Sequence, residues 1–349
     1  MVTIVFYISG HGLGHASRDI EVIHAIVALR PDTRIVVRTG AQQWLFALTA
    51  PGVELQPCEV DTGIVQIDSL RLDEDRTAAE AARFYAGFDR RVAGEADVLR
   101  QLEADLVVGD IPPLAFAAAA RAGIPSVAVG NFTWDWIYGA YPAFARLAPD
   151  VLSIIRCAYS HATVALRLPL HGGFEPIARL THDVPLIARR SVRNRSDVRR
   201  ALGCPGDTPI ALLSFGAYGV DLPMETVSQS RRFRVVAAVR EPPAGLRYED
   251  LVAASDVVIS KPGYGIVSEC IANGAALLYT SRGRFAEYDV FVDEMPRLLR
   301  CRHISQDDLL AGRWADAIDA LLAQPAPRER PRVDGARVVA NEIAKLALE

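Results

Sequence analysis

The sequence predicts two doubly wound α/β domains in tandem, each built on a parallel sheet. Three observations lead there. Short, continuous apolar runs alternate with helix-length segments, the pattern of strands buried on both faces and joined by crossover helices. The pattern restarts after a polar, basic stretch at 188–209. At 349 residues the chain is too long for one ordinary domain and suits two.

The elements follow in order. "VTIVFYIS" (2–9) reads as the first strand, and "IEVIHAIVALR" (20–30) as the first helix, with Ile20, Ile23 and Val27 at helical spacing. "RIVVRTG" (34–40) is a second strand, and 73–104 reads as one or two amphipathic helices. "DLVVGD" (105–110), the Ala-rich "PLAFAAAARAG" (113–123) and "PSVAVGN" (125–131) are strand, helix and strand. In the second half, "IALLSFGAYG" (210–219) is a strand ending in a glycine turn and "FRVVAAV" (233–239) is another strand. Residues 256–281 read as strand, glycine loop, helix, glycine stop and strand. "PRVDGARVVANEIAKLALE" (331–349) is a final helix. The boundary falls near 183–192, giving domains 1–185 and 186–349, with the last helix free to return to the first domain.

Half the residues are hydrophobic, enough for two cores. A formal charge of −4 gives no electrostatic case for nucleic acid. Positive charge is nearly all arginine, and the only lysines are Lys261 and Lys345. The 5 cysteines are scattered with no CxxC, so neither a zinc site nor a disulfide framework is expected, and a reducing cytoplasm fits. No apolar run approaches the roughly 20 residues of a membrane span, and no signal peptide is expected.

Three turns carry the chemistry. "GHGLGHASRD" (10–19) joins the first strand to the first helix. Its glycines, Gly12 and Gly14 among them, let a ligand approach a helix N-terminus, whose free N–H groups and partial positive charge suit an anion or a sugar. It is not a dinucleotide fingerprint, because His15 stands at the third glycine position and "RIVVRTG" ends without an acidic residue. No G-K-[ST] makes it a P-loop, and no H-E-x-x-H makes a zinc site. The helix start favours a neutral His15 ring able to accept a proton, although a histidine there also serves simply as a helix-start residue. The second and third turns, "SFGAYG" (214–219) and "SKPGYGIVSE" (260–269), end strands of the second domain. Lys261 suits a diphosphate, and Glu269, expected exposed in the first helical turn, suits a ribose diol. A carboxylate there also complements the helix dipole without any ligand.

These stretches resemble the GT-B glycosyltransferases, whose two Rossmann-like domains face a cleft. "GHGLGHASR" is similar to the acceptor-side loop of the peptidoglycan GlcNAc transferases. "DLVAASDVVISKPGYGIVSECIANGAALLYTSRGRFAEYD" is similar to the superfamily's donor-side signature. Both are similar to the glycosyltransferase-like half of the L-arabinokinases, a likeness that brings no sugar-kinase activity with it. The resemblance implies a UDP-sugar donor, a hydroxyl acceptor, inversion of configuration, and no metal or other cofactor. It implies His15 as base with Asp110 orienting it. Gly216, Gly219, Lys261, Gly263, Gly265, Glu269 and Glu287 would hold the donor, and Gly12, Gly14 and Arg18 would lie on the acceptor side. Trp134 and Trp136, in "NFTWDWIYGAY" (131–141), are further acceptor-side candidates that could stack on a sugar or cover a lipid, which leaves peripheral membrane contact open. Aromatics at that spacing also serve packing. The short "REPPAGLRYED" (240–250) departs from the family's longer connection and would trim the nucleobase pocket. Two other readings stand beside transfer: a non-catalytic sugar-nucleotide-binding module, and a nucleotide-sugar epimerase of the same fold, for which the sequence offers no assignable carboxylates.

Overall fold

The computed structural model describes all residues except 205, 217–218, 239–241, 243–244 and 348–349. The chain divides into two units: 1–65, 72–187 and 332–349 form the first, and 66–71 with 188–331 form the second. The final helix therefore belongs to the first unit, and a six-residue piece of the first half belongs to the second.

In the first unit, β1 (Thr3–Ile8), β2 (Arg34–Thr39), β3 (Glu54–Pro57), β4 (Leu106–Asp110), β5 (Ser126–Phe132), β6 (Val164–Gly172) and β7 (Thr181–Asp183) form a parallel sheet in the order β3-β2-β1-β4-β5-β6-β7. Every residue of β1, β4 and β5 is buried, as continuous apolar runs require in a sheet covered on both faces. The order reverses between β1 and β4, so the segments leaving their carboxyl ends open a crevice there. One of those segments is the glycine–histidine turn, and the other follows Asp110.

Helix α1 (Gly14–Leu29) buries Ile20, Ile23 and Ile26, and α16 (Gly335–Leu346) packs against it. Val27 faces solvent instead, because the buried stripe runs through Ile26. The 73–104 segment is two helices, α3 (Glu74–Ala86) and α4 (Phe88–Gln101), broken at Gly87. The Asp73 side chain caps α3 by accepting from the Arg76 amide. α5 (Pro113–Ala122) stops at Gly123, whose φ of +76° is open to glycine at little cost.

In the second unit, β8 (Ile210–Leu213), β9 (Arg234–Ala237), β10 (Val257–Ser260), β11 (Ala276–Tyr279) and β12 (Cys301–His303) pair in parallel in the order β12-β11-β10-β8-β9. Its order reverses between β8 and β10, the two strands that lead into the two glycine turns of this domain. The expected strand residue Val239, the residues Ala217 and Tyr218 of the first of these turns, and part of the short 240–250 connection lie outside the described residues. The basic stretch 188–209 is not a free linker. It contains α9 (Arg195–Ala201), and Arg199 is buried with its guanidinium on the Ala254, Gly206 and Thr208 carbonyls. Leu70, from the six-residue piece, lies in this unit's core with Leu213 and Trp314. Among the described residues no helix is long and apolar enough to cross a membrane.

Candidate active site

Gly12 takes φ +70°, a left-handed turn that an L side chain rarely adopts, in the short segment between the end of β1 at Ile8 and the start of α1 at Gly14. His15 is the second residue of α1, and Asp110 is the last of β4. The turn and the strand end bring them together: His15 Nδ1 lies 2.8 Å from Asp110 Oδ1, and both residues are buried. Arg18, one helical turn on, donates from Nε to Asp110 Oδ2 at 2.5 Å and from Nη2 to Oδ1 at 2.5 Å. Its Nη1 donates to Asn131 Oδ1 at 2.7 Å. Burial would raise the Asp110 carboxyl, but Arg18 and His15 outweigh it and hold it at about 2.

An ionised carboxylate at 2.8 Å requires the proton on His15 Nδ1, because two facing lone pairs would repel. The 3.1 Å approach of Arg18 Nη2 to the same nitrogen is then a contact, since that nitrogen has no lone pair left to accept. His15 Nε2 is left as the acceptor, and it has no partner among the described residues. The ring is held edge-on against Phe132, with centroids 5.4 Å apart.

Two further carboxyls complete this cluster. Asp19 is fully buried, four residues after His15 on the same helix, and neither oxygen has a hydrogen-bond partner among the described residues. Burial first, and the charge of Asp110 next, push its carboxyl well above the usual range. Asp61 accepts from Trp134 Nε1 at 3.0 Å, and burial lifts its carboxyl to about 6 against the opposing pull of Ser9, His15 and Trp134.

In the second unit, Lys261 follows β10, and Gly263 precedes α12 (Tyr264–Asn273) in extended backbone, with Gly265 inside the first turn. Lys261 makes no ion pair among the described residues. Burial first, then the neighbouring Arg282, push its amine down to about 7 against the attraction of Glu287 and Asp68. Arg282 is itself buried, 3.3 Å from the Phe285 ring centre, and Glu287 is the buried first residue of α13 (Glu287–Leu298). Two cations thus crowd the start of a helix, an arrangement suited to an anion. Gly216 and Gly219 both take positive φ, +72° and +65°, and Ser69 bonds the same turn through the Phe215 carbonyl at 2.6 Å. Among the described residues no group of three or more His, Cys, Asp or Glu side chains is placed to hold a metal ion.

The comparisons with known proteins agree with this architecture. The family model "Glycosyl transferase family 1" matches residues 2–136, which include the His15 cluster. L-arabinokinase of Arabidopsis thaliana is 31% identical over 99% of this chain, although the chain spans only 34% of that protein's length. The UDP-N-acetylglucosamine–N-acetylmuramyl-(pentapeptide) pyrophosphoryl-undecaprenol N-acetylglucosamine transferase of Clavibacter michiganensis is 25% identical, covering 80% of this chain and 76% of its own. The kitacinnamycin glycotransferase structure aligns over 99% of this chain and 98% of its own at TM-score 0.63 and 16% identity. Phytolacca americana UGT2, solved with UDP-2fluoro-glucose and pterostilbene, aligns over 99% and 94% at TM-score 0.60 and 13% identity. The chain has the GT-B fold, and its residues 2–136 carry a match to the glycosyl transferase family 1 model.

Within this GT-B chain several expected positions change meaning. Arg18 is not an open acceptor-side group. It is buried, because Asp110 and Asn131 take its donors. Trp134 is fully buried and stacked on Tyr138 at 5.2 Å, so its ring cannot meet a sugar. It supports Asp61 instead. Trp136 is half-buried against Gly172, where an added Cβ would lie 2.3 Å from the ring. Glu269 is neither exposed nor in the first turn of α12. It sits in the second turn, 4% exposed, and accepts from Arg189 Nε at 2.6 Å. The arginine reaches it from the basic stretch and lies 4.6 Å over the Tyr248 ring. Sequence reasoning missed Asp19, Asp61, Asn131, Arg189 and Arg282. Only Asp19 carried a signal, its four-residue spacing from His15 on one helix.

Proposed function

We propose that this chain transfers a sugar from a nucleotide donor, UDP-linked, to a hydroxyl acceptor with inversion and without a metal. The observation that carries the reading is the buried His15–Asp110–Arg18 constellation, with His15 Nε2 left as a proton acceptor. The acceptor hydroxyl would give its proton to Nε2 as its oxygen attacks the anomeric carbon from the side opposite the nucleotide, which inverts that centre. Asp110 stays ionised and steadies the imidazolium that forms. Arg18 keeps Asp110 ionised despite full burial. Charge growing on the departing diphosphate would meet Lys261, Arg282 and the start of α12, which supply the cationic role a metal plays elsewhere.

The uridine assignment draws support from the names of two relatives, one a user of UDP-N-acetylglucosamine and one solved with UDP-2fluoro-glucose. Glu269 already accepts from Arg189, which competes with a ribose for its carboxylate. This occupied carboxylate, together with the match to one third of L-arabinokinase, favours a second reading: a sugar-nucleotide-binding module without turnover. The five cysteines are all free, in keeping with the reducing cytoplasm proposed as its location. Incubation with a set of UDP-sugars separates the readings. Slow UDP release without acceptor supports transfer, an altered sugar still attached to UDP supports epimerisation, and binding alone supports the module.

A further inference from the structure

The turn that presents His15 has little of its own to hold it. Leu13 stands at the N-cap of α1 with no side-chain capping bond, and the first helical turn carries no acidic residue. A local polar contact is the His11 amide, which donates to Ser9 Oγ at 3.3 Å. A helix start without a cap takes its place from tertiary contacts, and the segment after β3 supplies them.

Residues 61–64 meet the turn at three points. The Ser9 hydroxyl donates to the Asp61 carboxylate. The Ile64 amide donates to His11 Nδ1 at 3.3 Å. Gly63 lies so close to His11 that an added Cβ would fall 3.0 Å from its Cβ and 3.1 Å from Nδ1. Trp134 ties the two sides together, donating from Nε1 to Asp61 at 3.0 Å while its ring meets His11 edge-on at 5.8 Å. The segment is anchored in turn by Tyr138, whose hydroxyl donates to the Gly63 carbonyl at 2.8 Å and lies 3.1 Å from the Thr62 hydroxyl.

We infer that Asp61 is a positioning residue, clamping the glycine–histidine turn through Ser9 and Trp134 and so fixing where His15 meets Asp110. The word base for His15 rests on the transfer reading; the clamp rests on these contacts alone. A carboxyl is costly to bury, and an apolar side chain would pack here without that cost. What the carboxylate supplies is two acceptor oxygens for two donors brought by different strands, Ser9 after β1 and Trp134 after β5. His15 is thereby held from two directions. Ser9 fixes the entry to its turn, and Phe132 packs on Trp134 at 5.0 Å and on the His15 ring at 5.4 Å.

The test pairs turnover with NMR of the histidine rings in the full chain, using isotope-labelled histidine and assigning the signals with His11→Gln and His15→Gln. Asp61→Ala should move the ring signals of both histidines. It should also lower UDP release at saturating donor roughly tenfold or more, since a misplacement of about 1 Å costs on the order of 100-fold, while UDP affinity stays unchanged. Asp61→Asn keeps an oxygen for the indole and an amide for Ser9, and should recover most of the loss. Gly63→Ala strikes the same clamp from the His11 side and should move the His11 signals. Leu99→Ala, a buried truncation on α4, serves as the control for lost stability and should move neither ring nor turnover at a temperature where it is folded. Unmoved histidine signals in Asp61→Ala would overturn the inference, as would turnover within about threefold of an active parent. Equal effects from Leu99→Ala would overturn it too, by showing that lost stability accounts for them. Signals that move in a protein whose parent releases no UDP would leave the clamp standing and defeat the transfer reading.

Discussion

Asp110→Asn separates two roles that the structure assigns to one side chain. The carboxylate receives Arg18 through both oxygens at 2.5 Å and His15 Nδ1 at 2.8 Å, with Asp110 itself fully buried and Arg18 only 5% exposed. An amide keeps nearly the same shape but removes the charge, leaving a buried guanidinium without its carboxylate. Breaking a buried pair in this way costs about 3–5 kcal/mol. In a unit of this size that lowers the Tm by on the order of 10 °C. The amide can also present N–H to Nδ1, which moves the ring proton to Nε2 and removes the base, so turnover should fall roughly 10²–10⁴-fold. Urea unfolding measures the first effect, and UDP release at saturating donor, at a temperature where both proteins are folded, measures the second. UDP affinity should be unchanged, because Asp110 is not among the donor-holding residues. The sign with pH is fixed by the depressed carboxyl. Its contribution is fully present above the unfolded value of about 4 and is lost as pH falls through about 2, so the stability gap between the two proteins narrows across that window. A variant as stable as the parent would refute the charge pairing, and turnover within threefold of the parent would refute the tautomer argument.

Three further outcomes follow from the second unit and the sheet edge of the first. Lys261 has its amine pushed down to about 7, so between about 7 and 10.4 the folded apo protein holds fewer protons than the unfolded chain, and its stability rises with pH there. A bound diphosphate restores the ammonium, so at pH 8 UDP binding should take up a proton and weaken as pH climbs. Calorimetry in buffers of differing ionisation enthalpy reads this, and Lys261→Met should abolish the uptake; no uptake in the parent would remove Lys261 from the diphosphate. Glu269→Ala should destabilise the protein by about 3–5 kcal/mol by stranding Arg189, with Glu269→Gln milder, whereas unchanged urea midpoints would mean that the pair contributes nothing. Gly172→Ala should cost about 1–3 kcal/mol, since its Cβ would fall 2.3 Å from the Trp136 ring, and a neutral result would show that the ring moves freely.

What could be read from the sequence was what depends on local chemistry. The glycine–histidine turn and the aspartate ending "DLVVGD" announce themselves, since a strand end, a glycine turn and a helix start are written in consecutive residues. Their meeting follows from β1 and β4 being neighbours at the sheet's reversal point. Arg18 was visible as a residue but not as Asp110's counter-ion, because its partners lie 92 and 113 residues away. Asp61 sits in a segment without periodicity, and only the folded Trp134 makes it buried. Glu269 misled because nearness to a glycine loop suggested exposure, while an arginine 80 residues earlier in chain covers it. That arginine belongs to a stretch whose basic composition mimicked a linker. β6 and β7 went unread because "VALRLPLHG" mixes apolar and polar residues as an outer strand does, after a run of short helices.

The central claim is that His15 removes the acceptor proton during sugar transfer. It is tested most directly by comparing UDP release from UDP-sugars, with and without hydroxyl acceptors, between the parent and His15→Gln. The account predicts release by the parent, a loss of at least 100-fold in the variant and equal UDP affinity in both. Release by both proteins at the same rate would contradict it.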